Sequence, residues 1–166
     1  MSGGCEIERK WLVAAESAAA LATAVSSQRI DQGYLTIGPG GAETRLRARA
    51  GEHLLTVKSG TGLVRTEATI ELTERQFDQL WPATAAARVE KVRHLIPGPD
   101  ATTIELDVYE GALAGLVVAE VEFVDAAAAV AFAPPSWFGA EVTDDRRYKN
   151  QALAVDGIPG RARAGD

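Results

Sequence analysis

Glu6, Glu8 and Lys10 stand two residues apart in Glu6-Ile7-Glu8-Arg9-Lys10, and this spacing of charge returns along the chain. Arg45, Arg47 and Arg49 repeat it with one sign, as do Lys91 and Arg93. Glu105 with Asp107, then Glu120 with Glu122, repeat it with the other. Side chains alternate across a β-strand with period two, so each set shares one face of its strand. The residues between them, such as Ile7, Leu46, Val92, Val121 and Phe123, are apolar and take the opposite face. One such strand is ordinary, because half-buried strands turn a polar face to water. Segregation of the signs strand by strand is not, because like charges at neighbouring positions repel. The pattern is accounted for if the charged faces line a closed or nearly closed barrel. Carboxylates would then form one wall and cations another, with the apolar faces outward beneath helices.

Such an interior suits a chain of phosphoryl groups. Arginine offers a planar fork that matches two phosphate oxygens, and lysine a compact positive charge. Carboxylates repel phosphate directly, but they hold Mg²⁺ or Mn²⁺, hard cations that bridge to phosphate oxygens. Opposed acidic and basic walls are what metal-assisted phosphoryl transfer uses.

The elements that must position these residues are legible in outline. Alternation predicts strands over 5–13, 34–37, 43–50, 54–58, 64–72, 88–96, 102–109 and 116–124. Turns fall at Gly38-Pro39-Gly40-Gly41, Ser59-Gly60-Thr61-Gly62 and Pro97-Gly98-Pro99-Asp100. Helices are expected over 15–26, from Thr73 to Trp81, after Asp125 and over 148–155. Thr73 and Gln76 have the spacing of a capping box, and Asp125 can cap the alanine run. The short connections favour antiparallel neighbours. The expected fold is α+β: an eight-stranded antiparallel β-barrel, or tunnel, with helices packed outside. One domain over 1–155 and a loose tail over 156–166 are expected.

The chain has 166 residues, 46% of them hydrophobic and 24% charged, with a net charge of −6. That balance is a globular one and argues against a duplex-DNA binder. Cys5 is the only cysteine, which excludes an internal disulfide and a cysteine zinc site. There is no signal-peptide pattern and no apolar run long enough to span a bilayer, so a cytoplasmic protein without membrane or nucleic-acid partners is expected. A homodimer is compatible with the sequence. No GxxxxGK[ST] phosphate loop is present, which argues against a doubly wound nucleotide fold.

The Glu6-x-Glu8-x-Lys10 motif resembles the signature of the CYTH superfamily, the triphosphate tunnel metalloenzymes. The resemblance extends in order through Gln32-Gly33-Tyr34-Leu35, Arg45-x-Arg47, Thr56-Val57-Lys58, Arg65-x-Glu67, Val89 to Arg93, Glu105 to Val108 and Glu120-Val121-Glu122. It closes with Trp137 to Thr143 and Arg147 to Asn150, and covers residues 5–155. It implies metal positions at Glu6, Glu8, Glu120 and Glu122, taking Mg²⁺ or Mn²⁺. It implies phosphate positions at Lys10, Arg45, Arg47, Lys58, Arg65, Lys91 and Arg93. The short bacterial members that it most resembles are linked with hydrolysis of inorganic tripolyphosphate. Thiamine or nucleoside triphosphate hydrolysis, class IV adenylate cyclase activity and non-catalytic polyphosphate binding are the alternatives. Lys10, aided by the Tyr34 hydroxyl, is the candidate for positioning or deprotonating the attacking water. The chain departs from the family at Thr69, where many members carry a second glutamate. That change either weakens a second metal site or marks a tunnel-wall contact.

Overall fold

The computed structural model describes residues 7–21, 26–59 and 66–161. Glu6, Arg65 and Cys5 lie outside the described residues. Nine strands form one antiparallel sheet. They are β1 (Ile7–Val13), β2 (Ser26–Ile37), β3 (Glu43–Arg49), β4 (Glu52–Ser59), β5 (Thr66–Glu71), β6 (Arg88–Pro97), β7 (Thr103–Tyr109), β8 (Val117–Phe123) and β9 (Phe138–Glu141). The order across the sheet is β5-β4-β3-β2-β6-β7-β8-β1-β9. The helices are α1 (Ala15–Leu21), α2 (Glu74–Leu80), α3 (Ala126–Ala131) and α4 (Asn150–Asp156).

The expected hairpins form, and β1 pairs with β8. Arg45 faces Thr56 and Thr56 faces Thr69, while Lys10 faces Glu120 and Glu8 faces Glu122. Two features differ from the sequence expectation. β2 begins at Ser26 rather than Tyr34, because its first half is polar and pairs along β6. β9 adds a ninth strand against β1, four residues long with a glycine inside. A Cβ at Gly139 would stand 2.9 Å from the Leu12 carbonyl oxygen, so only glycine permits that approach. The barrel is therefore not closed by a ladder: β5 and β9 are the two edges of the sheet.

The apolar face of β1 and β6–β8 carries the main core. Trp11, Ile104, Leu106, Ala119 and Val121 are buried there with Ala18 of α1, and with Phe132 just after α3. Arg9, on the same outward face, clamps the edge. Its Nε and Nη2 donate to Glu141 at 2.8 and 2.7 Å, and its Nη1 donates to the Ala129 carbonyl at 2.8 Å. On the other side of the sheet Leu46 is fully buried, as expected of an outward residue beneath cover. Val57 is not: it is 40% exposed, and Ile70 is 56% exposed. Strand alternation puts Val57 outward, where cover by a helix or other strands is expected, and the structure leaves it uncovered. α2 packs near the start of β4, through Phe77 against His53, and leaves the far end of the β4–β5 hairpin bare. Thr73 and Gln76 form the capping box that starts α2, and the Asp125 carboxylate caps α3 through the Ala128 N–H.

The last turns are held rather than loose as far as Arg161. Ile158 packs against a second core, and Arg161 Nη1 donates to the Ala114 carbonyl at 3.0 Å.

Candidate functional site

Strand periodicity puts Glu8, Lys10, Arg45, Arg47, Lys58, Lys91, Arg93, Glu120 and Glu122 on the concave face, and all of them line one cavity of about 770 Å³. Its walls come from β1 through β8, so the sheet must curl until its far sides face each other across this space. Tyr34 shares this face of β2 but is not in the cavity wall. Its ring belongs to the second core, with Val89, Tyr109 and Val118 from inward positions of their strands. Leu153 and Ala154 of α4 pack into the same cluster, so α4 blocks that end of the tunnel. Asn150, at the start of α4, lines the cavity and accepts from the Tyr109 hydroxyl at 3.0 Å.

The two sides of the cavity have opposite electrostatics. On the β6–β8 and β1 side, charge is neutralised by contact. Lys10 Nζ lies 2.9 Å from Glu120 and 3.1 Å from Glu8. Arg93 donates from Nε and Nη2 to the two oxygens of Asp107, each at 2.7 Å, and from Nη2 to Glu120 at 2.9 Å. Arg93 also pairs with Glu105, and Lys91 pairs with the fully buried Asp107. Lys91 is itself buried, beneath the Tyr109 ring.

These contacts fix the protonation states. Burial opposes the charge on Lys10, but Glu120 and Glu8 outweigh it and raise its pKa. Burial likewise opposes the charge on Glu120, yet Lys91, Lys10 and Arg93 hold its carboxyl down at about 2. Glu105 is pushed up, chiefly by burial.

On the β2–β5 side the cations are poorly matched. Arg47 Nε donates only to the neutral Gln32 side chain, at 2.9 Å. Burial, and then Arg45 and Arg93, depress its pKa to about 10, low for a guanidinium. Arg45 reaches Glu43 at 3.0 Å with Nη1, but its Nε is buried with no partner among the described residues. Arg49 also lines the cavity, and among the described residues Lys58 pairs with Glu67 alone, at 3.2 Å. Arg47, half-buried beside other arginines, has no anionic partner among the described residues.

Tyr34 backs this cluster. Its hydroxyl accepts from Gln32 Nε2 at 2.7 Å, which completes a line from Tyr34 through Gln32 to Arg47. Burial, with Glu43 next, raises the Tyr34 pKa to about 12. The hydroxyl is therefore protonated near neutrality.

Carboxylates that could hold a cation lie on the β1–β8 ladder. Glu8 faces Glu122 directly, and Glu122 makes no ion pair among the described residues. Two carboxylates opposite one another repel unless a cation joins them, and oxygen donors suit a hard divalent ion. Among the described residues no group of three or more His, Cys, Asp or Glu side chains is placed to hold a metal ion. Glu6 lies outside the described residues.

Gln32, Arg49, Thr56, Thr69, Glu105 and Asn150 also line the cavity. The period-two rule, carried back from Tyr34 and across the hairpins, reaches all but Asn150, which no local pattern marks.

A charge-lined antiparallel tunnel, blocked at one end and with an unmatched arginine cluster inside, defines a receptor for a compact polyanion. The chain is similar to proteins named for such a substrate. An inorganic triphosphatase of Nitrosomonas europaea is 48% identical over 150 residues, which cover 90% of this chain and 97% of that protein. One of Acetivibrio thermocellus is 34% identical over 152 residues, covering 90% and 93%. The crystal structure of the inorganic triphosphatase NE1496 superposes with a TM-score of 0.74 at 44% identity, covering 96% of this chain and 100% of that one. No family model matches the sequence. The chain belongs to the inorganic triphosphatase family, as its resemblance to the triphosphate tunnel enzymes implies.

Proposed function

We propose that this protein hydrolyses inorganic tripolyphosphate to orthophosphate and pyrophosphate with the help of Mg²⁺ or Mn²⁺. The observation that carries the proposal is the Arg47 guanidinium, half-buried among Arg45, Arg49 and Arg93 with Gln32 as its one hydrogen-bond partner among the described residues. A chain of phosphoryl groups supplies the negative charge this cluster lacks. The activity of the relatives adds support.

In this reading Arg45, Arg47, Lys58 and Arg65 hold the phosphoryl groups that become the leaving pyrophosphate. Lys91 and Arg93 complete the cationic lining, although both are already paired with carboxylates. Glu8, Glu120 and Glu122, with Glu6, are the residues that would hold the cation. Such an ion would draw charge from the phosphoryl oxygens as the bridging bond breaks. The water oxygen forms the new P–O bond, the bridging P–O bond breaks towards pyrophosphate, and the two protons of the water end on the products and solvent. Lys10, its pKa raised, keeps its proton and acts as a fixed donor that orients the reacting phosphoryl group. Tyr34, protonated and set behind Gln32, acts on the arginines rather than on the water.

The test is phosphate release from tripolyphosphate, ATP and thiamine triphosphate, with Mg²⁺, with Mn²⁺ and in excess chelator, beside a cyclic AMP assay. Rapid release from tripolyphosphate that chelator abolishes is expected. Full activity in chelator would remove the metal, and cyclic AMP from ATP with tripolyphosphate untouched would replace the reaction by a cyclase.

A further inference from the structure

Thr69 departs from the family pattern, and its surroundings give it a use. Arg45, Thr56 and Thr69 stand in one cross-strand row over β3, β4 and β5, Arg45 opposite Thr56 and Thr56 opposite Thr69. All three line the cavity. The Thr56 and Thr69 hydroxyl oxygens are 3.1 Å apart, and either can donate to the other. Two hydroxyls carry two protons, and the bond between them uses one. The other proton has no acceptor among the described residues. At the head of the row, Arg45 Nε is buried and has no partner among the described residues either. The row thus holds two donors without acceptors among the described residues, one charged and one neutral, on one face of three neighbouring strands. Buried donors are nearly always satisfied, so the idle Arg45 Nε points to an acceptor that the protein does not supply, and the hydroxyl pair, buried at Thr56 and open at Thr69, lies in the same row to meet it.

We propose that the Thr56–Thr69 hydroxyl pair, with Arg45 Nε, forms a seat for one phosphoryl group of the polyphosphate. The proposal rests on the reading of the cavity given above and adds to it two uncharged contact residues. It also decides what Thr69 does. A carboxylate at this position would approach the same phosphoryl oxygens with the wrong sign and would need a cation between them. The hydroxyl donates directly, so this wall grips the anion without a metal of its own. Glu67, the β5 acid that lines the same cavity, is already engaged by Lys58 at 3.2 Å.

A cross-strand threonine pair could instead serve only to tie β4 to β5, so the test separates binding from stability. Tripolyphosphate is titrated calorimetrically into the protein in EDTA, and Mn²⁺ is counted by electron paramagnetic resonance with the anion present. Valine keeps the shape and strand preference of threonine. The double variant Thr56→Val/Thr69→Val is expected to bind tripolyphosphate roughly 10- to 100-fold more weakly, the range for lost hydrogen bonds to a charged acceptor. Its melting temperature should stay near that of the wild type. Thr69→Ser, which keeps the hydroxyl, should bind within about threefold of the wild type. Thr69→Glu should bind no better than the double variant and bind no additional Mn²⁺. Wild-type affinity in the double variant, with or without a lower melting temperature, overturns the proposal. So does tighter binding with an additional Mn²⁺ in Thr69→Glu. Wild-type protein that binds tripolyphosphate without cleaving it removes the hydrolase reading and leaves the seat supported by the variants. Wild-type protein that does not bind it removes both.

Discussion

The two walls of the cavity carry similar residue types and reach opposite states. On the β6–β8 and β1 wall, Lys10, Lys91 and Arg93 are each in contact with carboxylates, and Asp107 serves two of them at once. On the β2–β5 wall, Arg47 has a neutral partner and Arg45 an idle nitrogen. Buried charge is tolerable when it is paired and costly when it is not. The first wall has thus spent its electrostatics on holding the fold together. The second has kept its electrostatics for a ligand. A cation in a tunnel is therefore not by itself a sign of anion binding; what matters is whether the protein has already answered it.

The largest expected effect would break this contrast if it failed. Arg93→Ala leaves Asp107, Glu105 and Glu120 without their shared partner, and breaking such a buried pair costs about 3–5 kcal/mol. Arg47→Ala removes a cation repelled by its neighbours, and should change stability by less than about 1 kcal/mol. Urea unfolding of both variants measures the difference, and equal losses would erase the distinction between the walls.

Catalysis should show the reverse order. Arg47→Ala is expected to lower kcat/KM for tripolyphosphate roughly 10- to 100-fold, as the loss of a charged hydrogen bond of about 1.5–3 kcal/mol implies. Steady-state kinetics on the folded variant decide it. A fall below twofold would mean that the unmatched guanidinium does not meet the substrate.

The paired wall should also be the one that fails in acid. Glu120 has a folded pKa of about 2, below its ordinary 4.5, so its contribution is complete above the ordinary value. It is lost as pH falls from about 4.5 towards 2. Glu105, whose carboxyl is raised, acts in the opposite sense, so the useful quantity is a difference. The stability gap between wild type and Glu120→Gln should be widest near pH 6 and narrow steadily below pH 4.5, read from unfolding curves at each pH. A gap independent of pH would show that the ion pairs of Glu120 add nothing.

The smallest effect concerns the line from Tyr34 to Arg47. Tyr34→Phe deletes one buried hydrogen bond, worth about 0.5–1.5 kcal/mol of stability. It should weaken tripolyphosphate binding only two- to fivefold, on the scale of that bond, because Gln32 still reaches Arg47. A loss of turnover beyond about 100-fold with binding intact, a transition-state effect, would return the hydroxyl to the reaction itself.

Most of the cavity was legible because strand alternation is geometric. Once β1, β3, β6 and β8 are recognised, the inward residues follow without further information. What was not legible depended on pairing in space. Period two cannot tell Arg47 from Arg93, since each belongs to a strand of alternating charge. Only the register of β6 against β7, which sets Arg93 opposite Asp107, separates them. Tyr34 carries the right face but sits too far along β2, where α4 fills the tunnel. β9 escaped because four residues with a glycine carry no periodic signal, and its place depends on the free edge of β1 and the reach of Arg9.

The open edge of the sheet has a mechanical consequence. A closed barrel has its diameter set by strand number and stagger. Here β5 and β9 end the sheet without joining, and both faces of β5 are exposed. The hairpin of β4 and β5 is then a hinged leaf, whose distance from the opposite wall is set by whatever lies between them. An anion held at once by Lys58 on this leaf and Lys10 across the gap works as a clasp. Its arrival should stiffen β5, and slowed amide exchange over Thr66–Glu71 would register the closing of the leaf.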